Sequence, residues 1–548
     1  MFYMYIRLTK SKKSKHPTLQ IVQGVREGAK VKQKIIASLG VIKTKEDLVK
    51  ISKLAENLTR RLEKEGLPSN HKIKLNDLIH KKTIYDGFGL VVDRLMELAG
   101  FSNTFRQTQG KKDFDVTEVV KLAIAQRLDL PSSKLRTYER QKEHGFHGID
   151  LQHIYRTMDV IEPLSNEIQR QSFLTVRSYS EIPVDCFFFD VTTLYFESIS
   201  QDELRDFGYS KDQKFHQVQI VLALVVDSQG IPIAYETFRG NVGETKTLIP
   251  VLELLRARFD IKNVTVVCDR GLASEANVNA LRKHGFHFVI ASKLRSMSKT
   301  LRINDLSVYE PVANQENMPD EEKIFIRTMA HPQYADTLLI ATYNPKRAAK
   351  DKDDRERLIK KLDEKIASSN EKSVKNVISN SGYKKYTNVK KGSLITINQK
   401  AIDEDAAWDG FHGISVSNSA ELTVEEALAR YKELWHVEEA FRVAKSTLRT
   451  RPIFHWKPGR VRSHVLLCFM TLFIERFLEL LLRKNGFYLT PDRIRHALAE
   501  VHTVVFENTD TCKTGKMRSS LPEDAVSIFK TLGISLDRSS AMESISCV

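Results

Sequence analysis

The succession of short apolar runs between Val184 and Ser292 constrains this chain more than any other feature. VDCFFFDVTTLYFE (184–197), KFHQVQIVLALVVD (214–227) and IPIAYETF (231–238) are β-rich and are joined by turns or loops. TKTLIPVLELLRARF (245–259) has helical periodicity, KNVTVVC (262–268) reads as a buried strand, SEANVNALRKHG as a second helix and FHFVIAS (286–292) as a further strand. Strands joined by turns pair antiparallel, whereas strands joined through a helix return in the same direction. A chain with both kinds of connection is expected to form a mixed sheet with helices on its faces.

Two carboxylates interrupt these apolar runs. Asp190 stands at the centre of FFFDVTT, and Asp269 closes VVCD. A carboxylate within a hydrophobic strand costs free energy unless it is paired or binds a cation, so Asp190 is a candidate cation ligand. Asp269, two residues before Gly271, also suits an ordinary turn, and its local sequence leaves both readings open. Asp185, Asp227 and Asp260 read as turn or strand-end acids. A third carboxylate lies in TVEEALARYKELWHVEEAFRVAKSTLR (423–449), which is expected to form one long helix. There Tyr431, Glu438 and Lys445 recur at steps of seven and share a face, with Arg442 one turn past Glu438. Leu428, Trp435, Phe441, Ala444 and Leu448 flank that line, so it is expected to run within an inward-facing apolar stripe. A solvated, salt-bridged helix face is the competing reading.

Charge points to the partner. The chain has 548 residues, 41% apolar, which is ample for a core and too long for one compact domain. Its formal charge of +16 suits a polyanion such as nucleic acid. Residues 1–40 hold nine Lys or Arg against the single acid Glu27. Nine minus one is eight, half of the surplus. Five cysteines without a CxxC pair argue against disulfides and a zinc site and fit a reducing cytosol. No signal-peptide core precedes the first strands, and the longest apolar run, Val465 to Ile474, is too short to cross a bilayer.

Around the central sheet, residues 2–38 read as three strands (3–9, 18–26 and 30–37) with turns at Gly28 and SKKSKH. A helix is expected over 45–65, then a Pro68/Ser69/Asn70 break, then mostly helical structure from Thr83 to about Arg177. Within it, Pro131 to Tyr138 forms a basic helix start suited to a phosphate backbone or to a plain capped surface helix. Between Ser292 and Thr423 the pattern is strand-like (KIFIRTMA, TLLIATYN, KKGSLITINQKAI, FHGISVSNS) with one charged helix, PKRAAKDKDDRERLIKKLDEKI, read as a solvated arm. GNVGET (240–245) lacks the Gly-Lys-Ser/Thr ending of a P-loop and reads as a structural turn, and the histidines show no metal-binding spacing.

FFFDVTTLYFE, then VVCDRGLAS with FVIASKLR, then YKELWHVEEAFRVAKSTLRTRPIFHWKPGRVRSHVLLCF resemble the DDE transposases of bacterial insertion sequences. More narrowly they resemble the insertion-sequence-four superfamily, and the likeness covers nearly the whole chain. It implies an α/β fold: a ribonuclease H-like mixed-sheet core interrupted by a strand-rich insertion, with a basic N-terminal DNA-binding region of strands and helices. The expected division is 1–180 for DNA binding, 181–298 and 423–484 for the two parts of the core, 299–422 for the insertion and 485–548 for a C-terminal region serving dimerisation.

Carried over by position, the family's catalytic and metal-binding triad falls on Asp190, Asp269 and Glu438. Its last motif is Tyr, two residues, Arg, three residues, Glu, six residues, Lys. Tyr431, Glu438 and Lys445 match it, while Leu434 stands where Arg is usual and Arg442 is a candidate replacement. Tyr431, Arg442 and Lys445 are then expected to bind DNA phosphates. Phosphodiester chemistry is well served by two hard cations, and carboxylates suit Mg²⁺ or Mn²⁺. Trp408 and Phe411 are candidates for stacking on an unpaired base. The resemblance implies a cytoplasmic, nucleoid-associated bacterial enzyme that binds the terminal repeats of its element as a homodimer on double-stranded DNA, cleaves at the ends and joins them to target DNA. A ribonuclease H-like nuclease without strand transfer, or a catalytically inactive DNA-binding derivative, are the alternatives.

Overall fold

The computed structural model describes residues 3–10, 16–27, 30–65, 73–74, 78–110, 112–181, 184–209, 216–259, 264–297, 299–313, 315, 318–367, 381–390, 394–508 and 513–535. Gly28, residues 11–15 of SKKSKH, the Pro68/Ser69/Asn70 break and Asp260 lie outside them. The chain forms two compact units, one of residues 1–91, 139–147 and 489–548, the other of residues 92–138 and 148–488.

In the first unit, β1 (Tyr3–Thr9), β2 (Thr18–Glu27) and β3 (Lys30–Val41) form an antiparallel meander, with β4 (Ile73–Lys74) parallel to β3. The third strand runs four residues further than expected. Leu19 and Ile21 of β2 and Ala37 and Leu39 of β3 alternate onto one face, where Ala55 of the helix Lys45–Glu65 closes a small core. A separate strand, β5 (Leu78–Ile84), occupies the start of the stretch expected to be helical from Thr83.

The second unit is built on the central sheet. Its strands are β6 (Cys186–Tyr195), β7 (Gln219–Asp227), β8 (Pro232–Arg239), β9 (Thr265–Cys268) and β10 (His287–Ala291). They lie in the order β8-β7-β6-β9-β10. The turn-linked pairs β6–β7 and β7–β8 are antiparallel, and β6–β9 and β9–β10 are parallel, which is the expected ribonuclease H-like arrangement. Every residue of β7 is buried, as for a strand covered on both faces. The β7–β8 turn is fixed by the Asp227 carboxylate, which accepts from the backbone N–H groups of Gln229 (2.9 Å) and Ile231 (2.7 Å), with Gly230 at φ 77°.

The strands of the insertion continue this sheet. β11 (Glu310–Pro311), β12 (Phe325–Ala330), β13 (Thr337–Tyr343) and, after the hairpin β14 (Thr387–Lys390)–β15 (Leu394–Ile397), β16 (Phe411–Ser417) extend it to the order β11-β12-β13-β16-β10-β9-β6-β7-β8. QKAI, expected to be strand-like, begins a helix (Gln399–Ala406) because the Asn398 side chain caps it through Ala401 N. The charged helix Pro345–Ala367 is only half a solvated arm: Leu362 is fully buried and Arg355 is held against Asp409, so its inner face packs.

Helix Pro458–Lys484 is buried along most of its length, with Phe469 against Tyr235 of β8 at 5.0 Å. Glu475 and Arg476 break its apolar run, and among the described residues no helix is long and apolar enough to cross a membrane. Past this helix the chain returns to the first unit, where β17 (Thr503–Asn508) pairs with β5 and with β18 (Lys513–Arg518).

Candidate active site

Parallel pairing of β6 with β9 sets Phe189 opposite Cys268. Asp190 and Asp269, each the next residue on, therefore leave neighbouring strands at the same level, about 4.8 Å apart in the pairing direction. The buried Cys268 thiol reports both acids. Burial pushes its pKa well up, and the negative charges of Asp269 and Asp190 push it further. Asp190 is half-buried in mid-strand and Asp269 is exposed just past the end of β9.

The segment expected to be one helix is two helices and a wider turn: Val424–Lys432, Trp435–Arg442 and a π-helical Val443–Thr447. Between the first two the backbone tightens, with His436 N–H donating to Glu433 O (3.0 Å) and Val437 N–H to Leu434 O (3.2 Å). After the second it loosens, with Leu448 N–H donating to Val443 O at 2.9 Å. Each change of pitch rotates the faces, so steps of seven no longer mark one line. Leu434, Val437, Ala440 and Phe441 are buried, whereas Glu438 and Trp435 are exposed. The expected inward placement of the Glu438 line is thus not observed. The Phe188 ring lies 6.0 Å from His436, and Phe188 and Asp190 share a face of β6, so this helix covers the Asp190 side of the sheet.

Tyr431 senses two of the acids. Burial raises its hydroxyl pKa, and the charges of Asp269, Cys268 and Glu438 act in the same direction against Arg347. Among the described residues the side chains of Asp269 and Glu438 have no hydrogen-bond or ion-pair partner, which leaves them available to a cation. Glu439 differs: it is half-buried and held by Arg476 at 3.2 Å. Arg442 is exposed and 3.6 Å from Glu439. Lys445 sits in the π-helical turn, half-buried. Leu434, at the usual Arg position, is 7% exposed and belongs to the packed face. The donor set of two strand carboxylates and one helix carboxylate has the oxygen chemistry a hard divalent cation requires. Among the described residues no three Asp, Glu, His or Cys side chains stand within reach of one ion.

A cleft of about 970 Å³ opens beside Asp269 and runs into the insertion. Arg270, Lys293, Arg347, Trp408, Phe411 and Tyr431 are among the residues that line it. His412, 5.0 Å from Tyr431, is pushed down to about 4 by burial, helped by Arg347 and Arg270, and stands neutral at physiological pH. Trp408 and Phe411 meet edge-on at 6.1 Å, and Phe411 also packs on Tyr343 (5.0 Å), so both serve the insertion's core while bordering the cleft. Buried Asp405 gathers Lys385 (2.5 Å), Arg295 and Tyr386. Burial alone would raise its carboxyl, but these donors hold it down to about 2. Arg355 grips Asp409 through both guanidinium nitrogens, 2.7 Å for Nη2.

Sequence reasoning missed Arg270, Lys293, Arg347 and His412. Only Arg270, adjacent to Asp269, carried a local signal. It also set aside Glu244, whose Oε2 lies 3.2 Å from where a Cβ on Gly271 would stand, beside the Asp269 turn.

The family model described as Transposase DDE domain matches residues 184–474, 291 of the 548, and that described as IS1634 family transposase, N-terminal domain matches residues 6–70. Comparison with curated proteins finds no match. Among solved structures, the piggyBac transposase synaptic complex with hairpin DNA is similar at 10% identity over 76% of this chain and 80% of that one, with a TM-score of 0.34. The Mos1 transposase paired-end complex with left transposon end is similar at 11% identity over 43% and 66%, with a TM-score of 0.15. At those scores the likeness carries no argument about detail.

Proposed function

The chain belongs to the DDE transposase family, and from that premise we propose that it binds the terminal repeats of its own element, cleaves there and transfers the 3′ ends to target DNA through Asp190, Asp269 and Glu438. It is a DNA transposase, and domains of this family work with divalent metal ions. The observation that carries the assignment of residues is the β6–β9 register, which brings two carboxylates level on parallel strands under the helix of Glu438.

In this reading the three acids hold Mg²⁺, with Mn²⁺ able to replace it, as a pair of ions. When bound, such ions activate the attacking oxygen and stabilise the leaving one. The chain's own part is to orient the scissile strand. Tyr431, on whose hydroxyl the charges of Asp269 and Glu438 both act, donates its phenolic hydrogen to a phosphate oxygen, since its raised pKa keeps it protonated. Lys445 and Arg442 supply positive charge further along the same strand. Arg270, Lys293 and Arg347 do the same for the strand that enters the cleft, where Trp408 and Phe411 offer aromatic edges to an unstacked base. The basic residues of the first 40 positions bind the duplex outside the cleavage site, and two copies act together on paired ends.

The deciding experiment incubates the protein with DNA carrying its element's ends in Mg²⁺ and separates nicked from joined products. Nicking and joining by the wild type, both lost in Asp269→Asn and in Glu438→Gln, are expected. Nicking without joining would reassign the chain as a nuclease, and binding without cleavage in Mg²⁺ or Mn²⁺ would leave it a DNA-binding derivative.

A further inference from the structure

Three basic side chains, Arg127, Lys134 and His464, gather by the 449–457 loop, which itself contributes His455. The groups that act on the charge states of Lys134, His455 and His464 are one another, Arg127, Arg460, the Cys468 thiol and the Thr450 carbonyl. Arg127 and Lys134 are 5% and 7% exposed. Arg127 comes from helix Val116–Asp129 and donates to the carbonyls of Leu448 (2.6 Å) and Arg449 (3.3 Å), just past the π-helical turn that holds Lys445. His464, on helix Pro458–Lys484, lies 3.0 Å from the Thr450 carbonyl through Nε2, with its ring 5.4 Å from that of His455. Arg460 is neutralised by Asp159 in a two-pronged pair at 2.6 and 2.7 Å.

Lys134 has no such partner. Among the described residues its ammonium makes no hydrogen bond or ion pair, and Ser132 Oγ, two residues before it in sequence, and Nδ1 of His464 are buried without a partner. Burial and then the charge of Arg127 push its pKa down to about 7. A buried lysine beside an arginine is destabilising unless a negative charge arrives to balance it. The loop that carries His455 suits a polyanion: Phe454 and Trp456 are 67% and 65% exposed, Arg449 and Lys457 are exposed, and the Arg205 guanidinium lies 5.3 Å from the Trp456 ring.

We propose that Lys134, with Ser132 and His455, forms a phosphate-binding site that takes a backbone phosphate of the DNA strand leaving the Glu438 helix, an assignment that rests on the reading of this face as the DNA face. The shared chemistry is a phosphate oxyanion, and its source is either the DNA backbone or free inorganic phosphate.

The test compares the full-length wild type with Lys134→Met, which keeps the bulk and removes the charge. Thermal melting is followed at pH 6.5 with inorganic phosphate against chloride of equal ionic strength, and binding to end DNA is titrated across salt concentrations without metal. Phosphate is expected to raise the wild-type melting temperature and not that of the variant. The variant is also expected to bind DNA about tenfold more weakly, the scale of one charge-assisted contact, with a salt slope smaller by about 1. His455→Gln, which leaves the lysine in place, is expected to weaken both responses. Phosphate stabilisation lost in Lys134→Met with DNA binding unchanged would assign the site to free phosphate. Equal phosphate responses in wild type and variant would overturn the site. Neither arm involves cleavage, so both stand or fall apart from the catalytic reading of the acids.

Discussion

Glu438 and Glu439 show how far adjacent acids can diverge in surroundings. Glu438 is exposed and unpaired among the described residues, while Glu439 helps to neutralise Arg476, which is 9% exposed in side chain and shares itself with Glu479 at 3.0 Å. Glu438→Gln is therefore expected to leave stability within about 0.5 kcal/mol of wild type while abolishing cleavage. Glu439→Gln is expected to cost about 1 kcal/mol in urea denaturation, limited by the remaining Glu479 partner, and to leave cleavage measurable. The preference for Glu438 over Glu439 rests in the sequence on a regular helix from Tyr431 to Lys445, which the two changes of pitch interrupt, whereas the Arg476 pair that occupies Glu439 leaves no sequence signal. The stretch that holds Lys134 reads from sequence as a basic helix start suited to phosphate or to a capped surface helix, but the burial of Lys134 was not legible, since lysines are almost never buried without a partner. Its depressed pKa has a measurable sign. Between pH 7 and 10.5 the unfolded chain holds the proton that the folded chain has released, so wild-type stability gains from rising pH across that window. Melting in chloride buffers from pH 7 to 10 should show a steeper rise for wild type than for Lys134→Met, and parallel profiles would mean that the lysine is charged throughout.

At the level of elements, what the sequence disclosed was local. The strands β6 to β10 could be read because each is a β-branched or aromatic run bounded by turn residues, and the connection lengths then dictate their directions. The pairing of β16 with β10, which adds the insertion to the same sheet, depends on residues more than 100 apart and leaves no periodic trace. The segment 423–449 kept its helical period in sequence, yet the tightened turn at Glu433–Val437 and the π-helical turn after Arg442 redistribute its faces, and neither has a compositional signature. Leu434 illustrates the consequence. Its mismatch to the family motif reads from sequence as a lost phosphate contact, but its side chain belongs to the buried stripe with Val437 and Phe441. Leu434→Arg is expected to destabilise the protein by at least about 2 kcal/mol through an unpaired buried charge, with no gain in DNA affinity. A variant of wild-type stability that bound DNA more tightly would restore the motif's usual role to this position. Gly413 in β16 makes a second case: a Cβ there would lie 2.4 Å from Leu294 Cδ2, at the border of the cleft. Gly413→Ala is expected to cost about 1–3 kcal/mol by overpacking, seen as a lower urea midpoint.

At the scale of the molecule, the surplus of positive charge suited a nucleic-acid partner and the resemblance of three separated motifs implied the enzyme, but the route of the chain ends did not emerge from either. The last 60 residues carry no strong pattern, and a role in dimerisation was the expectation. Within the first unit, β17 pairs with β5 from Leu78–Asn508 to Ile84–Thr503, and Asp86 accepts from Thr503 (3.1 Å) and Arg518 (2.7 Å). The segment thus supplies the hydrogen-bonding partner of a strand laid down more than 400 residues earlier. A chain ending at Tyr488 leaves the β5 edge unpaired, and unpaired edges lose protection or recruit other strands. Hydrogen exchange on the truncated protein is expected to show rapid exchange across 78–84 with the amides of β6 and β7 still protected. If dimerisation were the segment's whole contribution, truncation would halve the mass seen by light scattering and leave 78–84 as slow as in the full chain. Fast exchange in a truncated protein of unchanged mass would instead assign the segment to the fold of the unit that holds the basic N-terminal strands, so that loss of DNA binding on truncation would follow from unfolding there.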